Sequence, residues 1–323
     1  MKINNLIYIV LLGIIVSLTS CEDDDSLFSG NENYITSFRL VQQGDSYAGI
    51  IKGDSLILSI PENLSLEGAT MEILCSENAR ISPDPGEVED WGKLQNFTVT
   101  AYNNTQRVYK YIVRRTLTGS EGDVRLTSVE DLEAFAAQGI NKVNGNLVIG
   151  KEEGTVKEDS LTSLASLKEV VGTVTINPTY AGTSFAGLEN LEQVGGLVMG
   201  RVIQNATIGL RWIREIKLPN LKKVASELTF RADTVETLSL PALEEVGRNL
   251  SIQIKDVKDI DFSALSVIGE NLSMKVNGVL NAPEKLTFPK LSLIGNQLVL
   301  SNVYRVRELA FPALKSASAI KLE

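Results

Sequence analysis

The chain has 323 residues, 43% of them hydrophobic, and a mean hydropathy of +0.05, values that fit a folded protein of two or three domains rather than a disordered one. Its formal net charge of −9 lies almost wholly in residues 1–124, which carry −8, against −1 in residues 125–323; no basic footprint for nucleic acid exists. Histidine is absent, which removes Ser-His-Asp and Cys-His nucleophile systems and His-ligated metals.

Residues 1–20 read as a secretory signal: a lone charge at Lys2, then an apolar run from Leu6 to Val16 too short to span a bilayer. The run ends in Leu18-Thr19-Ser20-Cys21, which resembles the lipobox of bacterial lipoproteins and implies that Cys21 is the acylated first residue of the mature chain. Residues 21–33 form the anchor and tether, and the 12 residues Glu22–Asn33 reach at most about 40 Å. Glu22, Asp23, Asp24 and Asp25 are either a solvated spacer extended by like-charge repulsion or, by resemblance to Bacteroidetes lipoproteins, the export signal for the outer face of the outer membrane. With Cys21 acylated, Cys75 has no partner for a disulfide, and its place in an alternating run reads as a buried small hydrophobe.

Residues 34–116 alternate in short apolar runs: Ile35, Phe38 and Leu40; Leu56, Leu58 and Ile60; Met71, Ile73 and Cys75; Phe97 and Val99; Tyr109, Tyr111 and Val113. Turn residues separate the runs, at Gly44-Asp45, Gly53-Asp54, Pro83-Asp84-Pro85-Gly86 and Asn103-Asn104. About seven strands in this span predict a β-sandwich. The Ile35–Phe38 opening, the Ser82-Pro83 turn with Gly86 and the Tyr111–Val113 close resemble the immunoglobulin-like domains of Bacteroidetes surface lipoproteins.

Residues 126–323 repeat. Leu164-Ala-Ser-Leu167-Lys-Glu-Val170 recurs as Leu188–Val194, Leu218–Val224, Leu240–Val246, Phe262–Ile268, Phe288–Ile294 and Phe311–Leu314, the central leucines lying 24, 30, 22, 22, 26 and 23 residues apart. A unit this short cannot bury its own apolar stripe, whereas stacked units can. The central leucines then form an inward ladder. The segments Leu147–Ile149, Leu250–Ile252, Leu272–Met274 and Leu298–Leu300 pair in a parallel sheet, and eight coils at roughly 4.8 Å give a body about 38 Å long. Lys222, Glu244, Ser266 and Ser292 follow the ladder leucines and read as outward, replaceable positions, and Pro219, Pro241, Pro289 and Pro312 mark one repeat position where no ladder donor is needed. Ser128-Val-Glu-Asp131 is close to a capping box, and Leu132 and Phe135 give a short capping helix an apolar face before Gly139.

The cadence of Leu240–Ile252 and Phe262–Met274 resembles the receptor L-domain family, found in growth-factor receptor ectodomains and fungal wall proteins. The resemblance implies a mainly β chain, in which the β-sandwich is followed by a right-handed leucine-rich-repeat-like β-helix, a solenoid, with a short N-terminal capping helix. The flanking cysteines of the receptor proteins are missing, so their signalling role is not implied.

No Walker A, dinucleotide-glycine, CxxC or EF-hand pattern is present, so no catalytic residue, metal site or cofactor is assigned. Glu152-Glu153 and Glu244-Glu245 invite a glycosidase reading, but paired acids in a repeat more often mark a solvated face. Asp256, Asp259 and Asp261 carry oxygen ligands for calcium without a loop glycine in register. The long interval between Leu191 and Leu221 holds extra length around Arg201–Glu215, including Arg211-Trp212-Ile213-Arg214. Insertions in solenoids map to one face, often the binding face, which makes Arg211, Trp212 and Arg214 candidate ligand contacts. The alternative places Trp212 and Ile213 in the core with both arginines solvated. The expectation is a non-catalytic lipoprotein, anchored in the outer membrane by lipid and facing the exterior, that binds an extracellular protein or glycan. A glycan-capture accessory of nutrient uptake and a structural envelope protein are the alternatives.

Overall fold

The computed structural model describes residues 30–322 except 94, 155–158, 277–281 and 304. The signal segment, Cys21 and Glu22–Asp25 lie outside the described residues. The chain divides at Thr116–Leu117 into two units.

Among the described residues the first unit has eight strands: β1 (Ile35–Gln42), β2 (Asp45–Ala48), β3 (Ile50–Lys52), β4 (Ser55–Pro61), β5 (Thr70–Cys75), β6 (Arg80–Ser82), β7 (Gln95–Thr100) and β8 (Gln106–Thr116). They form a three-stranded sheet, β2-β1-β5, and a five-stranded sheet, β3-β4-β8-β7-β6, in which β4 and β8 are parallel. Alternation works as the sequence predicts. Phe38 and Leu40 from one sheet and Leu56, Leu58, Phe97 and Tyr111 from the other are buried in one core. Trp91 arrives from the loop before β7, packs edge-on against Tyr111 at 5.7 Å, and accepts a hydrogen bond at its carbonyl from the Tyr111 hydroxyl, 3.2 Å. Burial pushes that phenol up. Cys75 packs at the margin of this core, and its partial burial raises the thiol, as suits an unreactive side chain.

The second unit, residues 117–322, is a β-solenoid of about eight turns. Each full coil has a tight turn and then strands on up to three sides. The first side is a ladder in which two residues of each coil pair in parallel, through Lys142-Val143, Glu169-Val170, Gln193-Val194, Lys223-Val224, Glu245-Val246, Val267-Ile268 and Leu293-Ile294. The second is the sheet predicted from Leu147–Ile149 onward, entered one strand earlier at Val124–Leu126 and ending at Ala319–Leu322. The third pairs Glu215–Lys217 with Thr237–Ser239 and then Asp259–Asp261, and Lys285–Thr287 with Glu308–Ala310. Only the second of these was read from sequence; the first is too short to alternate, and the third shares continuous twelve-residue strands, Leu228–Ser239 and Leu250–Asp261, with its neighbour.

The leucine ladder is buried: Leu167, Leu191, Leu221, Leu243, Leu265 and Leu291 are each 0% exposed, whereas Leu314 in the last repeat is only partly covered. Phe262, Phe288 and Phe311 stack in a second column, with centroids 5.9 and 5.2 Å apart. Turns close from the ladder leucine's N–H to the carbonyl three residues before, as in Leu243 to Leu240 at 3.1 Å, and put Pro219, Pro241, Pro289 and Pro312 second in the turn, where no donor is needed. Between the first and second sides the backbones of successive coils approach so closely that a Cβ on Gly247, Gly269 or Gly295 would stand 1.9–2.0 Å from the carbonyl oxygen of the coil before. Asparagine side chains bridge the next position: Asn249 Oδ1 accepts from the Asn271 side chain at 2.8 Å, and Asn271 Oδ1 accepts the Gln297 N–H at 3.2 Å.

One expectation is corrected. Lys222 and Glu244 are exposed, but Ser266 and Ser292 are half-buried, and their hydroxyls donate to the carbonyls of Glu244, 3.0 Å, and Ser266, 3.1 Å, in the preceding coil. These serines are stitches between coils rather than free surface positions. Charges are placed likewise: Lys142–Glu169, Lys222–Glu192, Lys223–Glu245 and Arg248–Glu270 pair between successive coils at 2.9–3.0 Å, which accounts for the near-neutral, mixed composition of this unit.

At the entry, helix α1 (Val129–Ala137) buries Leu132 and Phe135 over the first coil. Ser128 Oγ accepts the Asp131 N–H at 3.1 Å, and Asp131 reaches back to the N–H of Thr127 at 2.8 Å, one residue earlier than in a standard capping box. That bond holds the Asp131 carboxyl below its usual range.

Leu243→Ala should cost about 2–5 kcal/mol through lost transfer energy and a cavity, and Leu314→Ala distinctly less. Ser266→Ala should cost about 1 kcal/mol by removing an inter-coil hydrogen bond, and Glu244→Ala no more than about 0.5 kcal/mol. Urea midpoints of the four variants check the register; equal shifts would contradict it.

Candidate functional site

The interval between Leu191 and Leu221 differs from its neighbours because the chain leaves the coil after Gly200, whose φ of 66° favours glycine and where a Cβ would stand 2.4 Å from the Ile208 carbonyl oxygen, and makes a small hairpin. Strands Arg201–Ile203 and Ala206–Ile208 pair antiparallel across Gln204-Asn205, which have φ of 44° and 67°, the positive values a two-residue hairpin turn demands. The base is clamped. The Arg201 guanidinium bonds the carboxylates of both Glu152 and Glu153, the latter at 2.6 Å, across from an earlier coil. Thr207 reaches Gln253 at 3.4 Å. The chain rejoins the coil at Gly209, where a Cβ would stand 2.8 Å from the Ala232 nitrogen, and then buries Leu210 and Ile213 completely.

Two clefts flank this hairpin and share Gly209. One, of about 340 Å³, is lined by Glu152, Glu153, Pro178, Thr179, Arg211 and Trp212. The other, of about 320 Å³, is lined by Thr207, Ala232, Asp233, Gln253, Lys255 and Lys275. Both lie at the lower end of the ~300–1,000 Å³ typical of ligand sites.

The structure splits the predicted tetrad. Ile213 is core, but Trp212 is 58% exposed, so the reading that put both in the core holds for one of them. Arg211 is exposed beside Trp212. Arg214 turns away and spends its Nη1 on the backbone carbonyls of Arg211, Ile213 and Thr234, at 2.9–3.3 Å. Arg211 and Trp212 are thus together on a cleft, and Arg214 shapes the loop beneath them. Arg231 stands at the hairpin base. Burial lowers the pKa of its guanidinium, and its Nε is buried with no hydrogen-bond partner among the described residues.

The acidic sequences resolve differently. Glu152 and Glu153 are the Arg201 clamp, and Glu245 pairs with Lys223 at 2.9 Å while Glu244 is exposed. Among the described residues no three His, Cys, Asp or Glu side chains converge as metal ligands, so Asp256, Asp259 and Asp261 do not gather a site. Sequence reasoning missed Arg201 as an anchor and the second cleft altogether. A signal for the hairpin was present, in the alternation of Arg201-Val-Ile-Gln-Asn-Ala-Thr-Ile208 about an asparagine. The partners Gln253 and Lys275 come from two and three coils onward and leave no local mark.

The receptor L domain family matches residues 141–238, a span that contains the hairpin, Arg211 and Trp212. This part of the solenoid is similar to receptor L domains, which are ligand-binding modules, and the similarity is consistent with an interaction domain here. No curated protein is similar enough to the chain to count as a match.

The two tryptophans differ sharply, Trp91 being 1% exposed and Trp212 58%. Acrylamide should therefore quench about half of the wild-type tryptophan emission readily, and Trp212→Phe should leave only the protected component of Trp91. Unchanged quenching in that variant would contradict the placement of Trp212.

Proposed function

We propose that this chain is a non-catalytic surface lipoprotein, processed and acylated at Cys21, anchored in a bacterial outer membrane and displayed to the exterior, whose solenoid binds an extracellular protein or glycan. The anchor rests on the Leu18–Cys21 pattern and the display on Glu22–Asp25. More than one acyl chain gives stable attachment, since each buried CH₂ contributes about 0.8 kcal/mol. The first unit acts as an immunoglobulin-like spacer between tether and solenoid.

One observation carries the binding reading: Trp212 stands exposed on a cleft beside an inserted, clamped hairpin, whereas the other large aromatics among the described residues of the solenoid are buried or half-buried. An exposed indole forgoes favourable burial, and a flat ring at the rim of an open cleft suits stacking on a sugar or anchoring a partner protein. A purely structural role gives that ring no task. Of the two, we favour a glycan ligand, because both clefts are open and mix polar with apolar lining, which suits the hydroxyl groups and the apolar faces of a sugar beside the Trp212 ring. A catalytic reading has little support, because the paired carboxylates of the first cleft are both held by Arg201.

Cys21→Ala should release the protein from the membrane fraction, and an acyl-chain probe should label the wild type alone; a freely secreted, unlabelled wild type would overturn the anchor. Protease applied to intact cells should remove the wild type and spare a variant with Glu22–Asp25 neutralised. Equal digestion of the two would count against the export role.

A further inference from the structure

The two clefts escape the acidic balance of the chain. Together with the clamp they assemble Arg201, Arg211, Lys255 and Lys275 against Glu152, Glu153 and Asp233, a net positive set in a chain of formal net charge −9. The three carboxylates are engaged: Glu152 and Glu153 by Arg201, and Asp233 by Lys255 at 2.8 Å. Among the described residues neither the Arg211 guanidinium nor the Lys275 ammonium makes an ion pair or a side-chain hydrogen bond. Five other cations of the solenoid, Lys142, Lys222, Lys223, Arg248 and Lys285, pair with a carboxylate of the neighbouring coil. The uncommitted cations therefore stand one on each side of the hairpin, the first beside the exposed Trp212.

We infer that the paired clefts form one extended site for an acidic polysaccharide, with Trp212 stacked on a sugar ring, Arg211 meeting a carboxylate or sulfate group in the first cleft and Lys275 meeting another in the second. This rests on the glycan reading above and adds the ligand's charge and its length, which must exceed one sugar ring to cross the hairpin at Gly209. A guanidinium presents a planar fork that fits a carboxylate or sulfate, and an ammonium acts as a point charge. Both cations are exposed, so their contribution falls with ionic strength.

The test uses the full chain in detergent micelles against immobilised hyaluronan, polygalacturonate, alginate and chondroitin sulfate, with methyl-esterified polygalacturonate, dextran and mannan as neutral polymers and poly-glutamate as an acidic peptide. The expected result is binding to at least one acidic polysaccharide, weakened about tenfold or more by Arg211→Ala and by Lys275→Ala separately, abolished by Trp212→Ala, and weakened as NaCl rises from 50 to 300 mM. All three substitutions are at exposed positions, and unchanged circular dichroism and unfolding midpoints keep a loss of binding interpretable. Binding that survives both charge variants and favours neutral polymers would overturn the acidic ligand while leaving a glycan site in place. Silence of Lys275→Ala alone would overturn the two-cleft site. Capture of poly-glutamate and no polysaccharide would assign a protein ligand, and binding to nothing on the panel would overturn this inference and the glycan reading together.

Discussion

A coil of about 22 residues has no interior of its own. Leu221, Leu243 and Leu265 are 0% exposed only because the coils before and after cover them, so the solenoid depends on the parallel register that sets one coil directly on the next. Register is held at several levels. Backbone hydrogen bonds run along three sides, asparagine amides continue the ladder at a corner, and Ser266 and Ser292 add stitches from side chain to carbonyl. Gly247, Gly269 and Gly295 permit the approach, since any side chain there would collide with the carbonyl beneath. Ion pairs between coils add little individually at exposed positions, but they dispose of surface charge in register.

Such a regular scaffold tolerates irregularity only where chain can leave a coil and return to the same track. Gly200 and Gly209 mark the two ends of the one hairpin that does so in the coil of Leu191. The excursion is tied down by Arg201 on one side and Thr207 on the other, which places Arg211 and Trp212 on a defined cleft rather than on a free loop. Rigid presentation matters for a binding site because ordering a loop on binding subtracts from affinity.

Much of this was legible in the sequence, for a physical reason: the repeat writes its core positions at a fixed interval. The leucine ladder, the proline turns, the second sheet and the capping helix could all be read from spacing and residue type. The two-residue strands at Lys223-Val224 and its equivalents could not, since two residues carry no period. Nor could the roles of Ser266 and Ser292, where a hydroxyl beside a ladder leucine looks like any surface serine until the neighbouring carbonyl is in place. For the candidate site, the excess length and the Arg-Trp pair stood out, while the second cleft did not, because Thr207, Gln253 and Lys275 meet across three coils. Composition placed Arg211 and Arg214 on equal terms; only the fold separates the exposed one from the one bonded to its own backbone.

The central claim is that the stacked coils carry the fold and the hairpin carries recognition. Excising residues 201–208 shortens the Leu191–Leu221 interval to the 22 residues of the two coils that follow, and it removes the clamp and the wall between the clefts. The measurement is thermal unfolding and polysaccharide binding of this deletion variant beside the wild type. The account predicts a cooperative unfolding transition within a few degrees of the wild type, with binding lost. A variant that binds as the wild type does, or one that no longer folds, would contradict it.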